Sequence, residues 1–386
     1  MKIKIGIKIT YRQGGIINCV EFHFEVVAGV LYVLKPYESK VHVFLSPSVK
    51  RKNYDGVKSL LTWSKARFPT SFAPHRLKEQ YGLVILISTD YELQRNKAQL
   101  ARLNPERVLA VVHNAAYNDV PSLLSLSADL HLLTLSPHVA NSLSHVINKP
   151  VQWFLPVFPW KPKSADCPHS GGKTYSLTAE FSCLRGFSMQ GKFGGSRRNY
   201  TGIWDQVVKY MSVLEGGASA QQLFHLNVLG KGNHDLLELP STISHLVTVY
   251  DRLPYDSYYS NISKTLALIP AFASPSYYST RFSSTIITSL STGTPVIASK
   301  RLLSAYSFLN TNSTFIQGDE EEEIHAMIRI MRIGKNQLLE FRHSLKQLRD
   351  DLNVRSYDIL REHIEQVCSS FRFSFRFLSN STSTSV

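Results

Sequence analysis

Apolar runs of strand length recur through the first half of the chain, at Ile3–Ile9, Val41–Leu45, Leu83–Ser88, Val108–His113 and Leu132–Leu135. Between several of them lie longer stretches whose apolar residues return every three or four positions, such as Val20–Leu34 and Pro137–Val146. Alternation of this kind predicts a parallel sheet covered on both faces by helices. Val151–Lys163 carries three prolines and two tryptophans, breaks the alternation, and reads as an interdomain linker.

The pattern resumes after it, with strands expected at Leu184–Gln190, Phe224–Leu229, Leu246–Tyr250, Thr265–Ile269 and Pro295–Ala298. Helices are expected at Ile203–Leu214 and Ser283–Ser291, then near Glu320–Arg332, Gln337–Leu352 and Ser356–Cys368. The acidic run Asp319–Glu323 opens a helix, where carboxylates suit the dipole, and it is given no chemical role. The tail after Phe371 is rich in Ser and Thr and is expected to fray. The fold class is therefore α/β. Two doubly wound domains, residues 1–155 and 156–353, should face each other across a cleft at the carboxyl ends of their strands. Residues 354–370 form a last helix and 371–386 a flexible tail.

Composition narrows this picture. A chain of 386 residues matches two domains, and 43% hydrophobic residues supply real cores. No uncharged apolar run is long enough for a transmembrane helix. The Lys/Ile alternation of Met1–Thr10 reads as a strand, because a signal peptide needs a continuous apolar block. A soluble or peripheral membrane protein is expected, with the cytoplasm favoured. Cys19, Cys167, Cys183 and Cys368 form no C-x-x-C pair, so neither a disulfide framework nor a structural zinc site is expected.

The formal net charge is +14, concentrated in the first half, where residues 1–155 hold 19 basic against 10 acidic side chains. Such a surface attracts phosphates of a nucleotide or of an anionic membrane. The Lys50-Arg51-Lys52 cluster lacks the interleaved aromatics of a nucleic-acid module, so no nucleic-acid partner is expected.

Candidate chemistry clusters at predicted strand ends. Gly14-Gly15, after the first predicted strand, would let the backbone turn tightly beside a ligand. His113 ends the fourth strand, where an imidazole could bond a substrate hydroxyl or stabilise a leaving group. Gly191-Lys192 ends a strand of the second half and is followed by Arg197-Arg198. Two arginines opening a helix oppose its dipole, so an anion partner is expected there. Ser283, Ser284 and Thr285 open another helix with Arg281 beside them, a phosphate cradle of hydroxyls and free N–H groups.

Together these segments resemble the nucleotide-sugar-dependent glycosyltransferases of GT-B architecture, especially the retaining group called glycosyl transferases group 1 or family 4. The resemblance is carried by Gly14-Gly15, His113, Leu132–Leu143, Gly191-Lys192, Leu229-Gly230-Lys231-Gly232 and Gly293–Ala298, in that order and spacing. It implies two Rossmann-like domains, with a final helix crossing back onto the first. It also implies an enzyme: Lys192 and Arg197 or Arg198 on the donor diphosphate, His113 facing the donor sugar or the acceptor, and Tyr250–Tyr255 near the base.

A UDP-, GDP- or ADP-sugar co-substrate follows from the resemblance, with a glycan, a lipid-linked compound or a small molecule as acceptor. No D-x-D motif occurs, and no essential metal is expected. The family's two glutamates before the G-T-P-V turn are replaced here by Thr280 and Thr288. That departure keeps open a non-catalytic nucleotide-sugar or partner-binding protein, and the charge keeps open a basic membrane-surface protein.

Overall fold

The computed structural model describes residues 13–18, 22–46, 49, 56–68, 81–89, 97–98, 100–101, 103–116, 119–162, 184–214 and 224–380, with side chains described as far as residue 369. The predicted strand Ile3–Ile9, the Lys50-Arg51-Lys52 cluster, Cys19, Cys167 and Cys183 lie outside these residues. The first half forms β1 (Gln13–Asn18), α1 (Phe24–Val33), β2 (Val41–Leu45), α2 (Val57–Leu61), β3 (Tyr81–Leu86), β4 (Arg107–Val112), α3 (Val120–Leu124), β5 (Leu130–Thr134), α4 (Pro137–Ile147) and β6 (Gln152–Trp153). The second half adds β7 (Phe187–Lys192), α5 (Tyr200–Leu214), β8 (Leu226–Lys231), β9 (Val247–Asp251), α6 (Tyr255–Ser263), β10 (Ala267–Leu268) and α7 (Ser284–Thr292). It closes with β11 (Ile297–Ala298), α8 (Lys300–Ala305), β12 (Phe315–Ile316), α9 (Glu323–Met331) and α10 (Lys335–Asn380).

The first sheet runs β2-β1-β3-β4-β5-β6, all parallel. Val108–Val112 is buried throughout, as a strand covered on both faces must be. The chain reverses its direction of travel at β1, which has β2 on one side and β3 on the other, so the switch point lies beside β1. The second sheet runs β10-β7-β8-β9, also parallel, and a bridge from Leu268 to Val296 joins it to the β11-β12 pair.

Two expectations about the first half are corrected. Gly14 and Gly15 do not turn after a strand; they lie inside β1, paired with Val41 and His42. A Cβ on Gly15 would come within 3.3 Å of Val84 and Tyr81, so the missing side chain admits β3 rather than a ligand. The first half of the expected linker is sheet and core: β6 adds a sixth strand, and Phe154, Leu155 and Val157 are fully buried.

The last two helices are one. Lys335–Asn380 contains no Pro or Gly to stop it, and its backbone is helical through Asn380, where fraying was expected from Phe371. Residues 381–386 lie outside the described residues. The polar residues that look like a break are docking groups. Asn353 accepts from Val157 N–H (2.7 Å) and donates to the Val157 carbonyl (3.0 Å), while Ser356 accepts from Leu155 N–H (3.1 Å). No described helix is long and apolar enough to cross a membrane.

Candidate functional site

The strand ends of both sheets converge on a cleft of about 440 Å³, within the size range of small-molecule sites. Its floor is stitched from both halves. Beyond β4, Ala115 N–H donates to Thr280 O (2.7 Å), and Phe282 N–H donates to His113 O (2.9 Å). His138 Nδ1 reaches the Ala305 carbonyl at 2.9 Å.

The first-sheet wall is built on β1, β3 and β4. Asn18 at the end of β1 donates to Phe22 O (2.9 Å) and accepts from Ser88 Oγ (3.0 Å). The Ser88 proton is thereby used, so His23 donates its Nδ1–H to Ser88 Oγ (2.9 Å). His23 caps α1 with φ 63° and stacks on His113, with ring centroids 3.7 Å apart and planes 4° off parallel. His113 donates Nε2–H to Ile87 O at 2.6 Å. Burial, His113 and Arg197 together hold His23 well below the ordinary histidine value, so the pair is neutral at His23. Glu25, in the first turn of α1, also lines the cleft. Burial raises its carboxyl above the ordinary value, and a hydrogen bond from Tyr255 Oη (3.1 Å) pulls it partly back.

The second-sheet wall is cationic. Lys192, Arg197, Arg198, Lys231, Arg252 and Arg281 line the cleft, against Glu25 as the one carboxylate among the described lining residues. Such convergence concentrates anions. At Gly191 and Gly230 two strand ends touch: a Cβ on Gly230 would lie 1.9 Å from the Gly191 carbonyl. Only glycine allows that contact, which leaves bare backbone facing the cleft.

Arg198 is not a free anion donor, contrary to expectation. It is 2% exposed and donates to Gln190 O (2.9 Å), Arg197 O (3.0 Å) and Thr285 Oγ1 (2.9 Å). Its guanidinium also lies 5.1 Å from the Phe272 ring centroid. Thr285 is likewise turned inward, accepting from both Arg198 and Gln190, and does not line the cleft. Ser283 caps α7 by accepting from Thr285 N–H (3.3 Å). Ser284 and Arg281 remain at the cleft surface, and the buried Arg281 Nε has no hydrogen-bond partner. Thr288 lines the cleft and bonds Tyr258, whose hydroxyl also donates to Gln190 Oε1 (2.7 Å). Thr280 does not line it; its carbonyl is part of the floor.

The cleft thus gathers His113, Gly191, Lys192, Arg197, Arg198, Arg281, Ser283, Ser284 and Thr288. Gly14 and Gly15 lie elsewhere, beside a small apolar pocket with Cys368. His23 and Glu25 were missed, while Lys231 and Arg252 had entered only within the Leu229–Gly232 motif and the Tyr250–Tyr255 segment. The signal for His23 and Glu25 was the strand Gln13–Asn18 itself, whose end delivers the following loop and the start of α1 to the cleft. Among the described residues no cluster of His, Cys, Asp or Glu is arranged to hold a metal ion.

No protein-family profile matches this chain, and no curated protein matches it in sequence. Solved structures match it along nearly its whole length. Anabaena Alr3699/HepE in complex with UDP-glucose superposes with a TM-score of 0.59 at 12% identity, covering 93% of this chain and 100% of the other. A glycosyltransferase from Rickettsia africae gives 0.58 at 13% identity, over 92% and 99%. Sucrose-phosphate synthase from Thermosynechococcus elongatus gives 0.52 at 12% identity, over 96% and 100%. These neighbours share two Rossmann-like domains, and the fold of this chain is the GT-B fold.

Proposed function

We propose that this GT-B chain transfers a sugar from a nucleotide-sugar donor to an acceptor hydroxyl, the donor on the second-sheet wall and the acceptor on the first. One observation carries the reading: Lys192, Arg197, Lys231, Arg252 and Arg281 converge on bare glycine backbone at two strand ends, with Glu25 as the one carboxylate among the described lining residues. That is the environment a nucleoside diphosphate needs, both when bound and when it departs with developing negative charge. Lys192, Arg197 and Arg281 take the diphosphate. Arg198 acts behind them, holding the Gln190 carbonyl and the start of α7. His113 faces the sugar. UDP-glucose is the first donor to try, since a structural neighbour binds it.

A second reading, a non-catalytic nucleotide-sugar binder, is favoured by the second-sheet wall itself. It offers threonine at 288, already bonded to Tyr258, and no carboxylate among its described lining residues.

Lys192 is exposed at the end of β7, so Lys192→Ala should leave the melting temperature unchanged. It should weaken binding of UDP, GDP or ADP about tenfold or more, the worth of one charged hydrogen bond. Calorimetry checks this; equal affinity in the variant would remove Lys192 from the diphosphate.

A further inference from the structure

The cations of the cleft exceed the charge that a diphosphate brings. Arg198 is spent on the protein, Lys231 shares its field with Glu25, and Arg252 stands 3.7 Å from Asp251. Lys192, Arg197 and Arg281 line the cleft and form no ion pair among the described residues. A nucleotide sugar carries one charge on each phosphate of its diphosphate. Lys192 and Arg197 match those, and the charge of Arg281 is left over. Arg281 is half-buried, and its guanidinium donates no hydrogen bond to any described residue; the Tyr277 ring lies 5.8 Å from its Cζ. Holding a guanidinium there with its donors unspent is costly unless a ligand takes them. Its backbone is fixed beside His113: residue 281 bridges Asn114, and Phe282 N–H donates to His113 O (2.9 Å). Arg281 therefore stands at the sugar end of the diphosphate. A neutral sugar is held by acceptors for its hydroxyls, carboxylates above all. This wall has no carboxylate among its described lining residues, and Thr288 is bonded to Tyr258.

We propose that the donor sugar is acidic: a nucleotide-activated uronate whose ring carboxylate is held by Arg281. This rests on the nucleotide-sugar reading of the cleft and names the sugar class that the reading leaves open. A guanidinium presents several N–H donors in a fixed planar fork, enough to bridge a phosphate oxygen and a carboxylate. A carboxylate supplies the charge that the diphosphate leaves unmatched, and its paired oxygens fit the fork. A neutral hexose, with a hydroxymethyl group at the same ring position, leaves Arg281 without a counter-ion. Arg281 is carried on the segment leading into α7, on the wall assigned to the donor. That favours the donor sugar over a phosphorylated acceptor as the bearer of the extra charge.

The test is calorimetric binding of matched donors to the full chain: UDP-glucuronate against UDP-glucose, and GDP-mannuronate against GDP-mannose, with free UDP and GDP as references. The acidic member of the pair that binds should be held about tenfold or more tighter than its neutral twin, the worth of one charged hydrogen bond. Arg281→Gln should bring the twins to equal affinity, and Arg281→Lys, which keeps the charge without the fork, should restore part of the preference. Lys192→Ala should weaken both twins alike and leave their ratio as in wild type. Equal affinity of the twins in wild type, or a preference that survives in Arg281→Gln, overturns the proposal while leaving the nucleotide site standing. So does glucose 6-phosphate binding beside UDP through Arg281 while the twins bind alike, which gives the extra charge to the acceptor. Absence of binding by every nucleotide removes the nucleotide-sugar reading itself, and this proposal with it.

Discussion

An arginine serves a ligand only with the donors it has left, and Arg198 has spent one on each of two carbonyls and a hydroxyl. Its value is structural first. Arg198→Met should cost about 2–4 kcal/mol in urea unfolding, because buried carbonyls lose charged partners, whereas Arg197→Ala on the exposed neighbour should unfold as wild type does. The pair shows what was legible at this scale. His113, Lys192 and Arg197 follow directly from apolar runs, because a strand end delivers its next residues to the cleft. The sequence gives no sign of which N–H groups the fold will consume, so Arg198 and Thr285 read as ligand donors when they are scaffolding. Glu25 and His23 escaped for a different reason: they lie just past a strand whose two glycines looked like a turn.

Helices and strands were legible wherever a side chain reports its own burial, and obscure where a polar residue serves a distant backbone. Asn353 and Ser356 look like a helix break because nothing nearby explains them; their partners, Val157 and Leu155, lie far back in the chain. The buried run Phe154–Val157 looks like a linker because prolines surround it, yet those prolines are why a helix, and not another strand, must satisfy its backbone. The same contact explains a glycine inside α1. A Cβ on Gly29 would lie 2.1 Å from the Pro156 carbonyl oxygen, so backbone would have to move. A mid-helix Gly→Ala change ordinarily stabilises by roughly 0.5–1 kcal/mol. Gly29→Ala should instead destabilise by about 1–3 kcal/mol, the cost of overpacking, and chemical denaturation decides between the two signs.

At the scale of the molecule, α10 joins the two sheets. Arg107, at the start of β4, bonds Asp129 (2.8 Å) and His363 Nδ1 (3.4 Å), and His131 lies 4.8 Å from His363 ring to ring. Burial, then His131 and Arg107, push His363 down to about 4. The unfolded chain therefore binds the extra proton between about pH 6.5 and 4, so this stability is fully present above that window and is lost as pH falls through it. The loss should reach at most about 3 kcal/mol, and His363→Leu should flatten that part of the stability-against-pH curve. Two parallel sheets were readable from the alternation of runs. The seams between them were not, because each joins residues that share no local pattern. Those seams also set an order of events on the ribosome. Asn353 is made 196 residues after the Val157 backbone it closes, on the order of 10–40 s of synthesis. Through that interval the emerging first sheet must wait with its last buried carbonyl and amides open, which makes the nascent chain, more than the finished one, the form that calls for a chaperone.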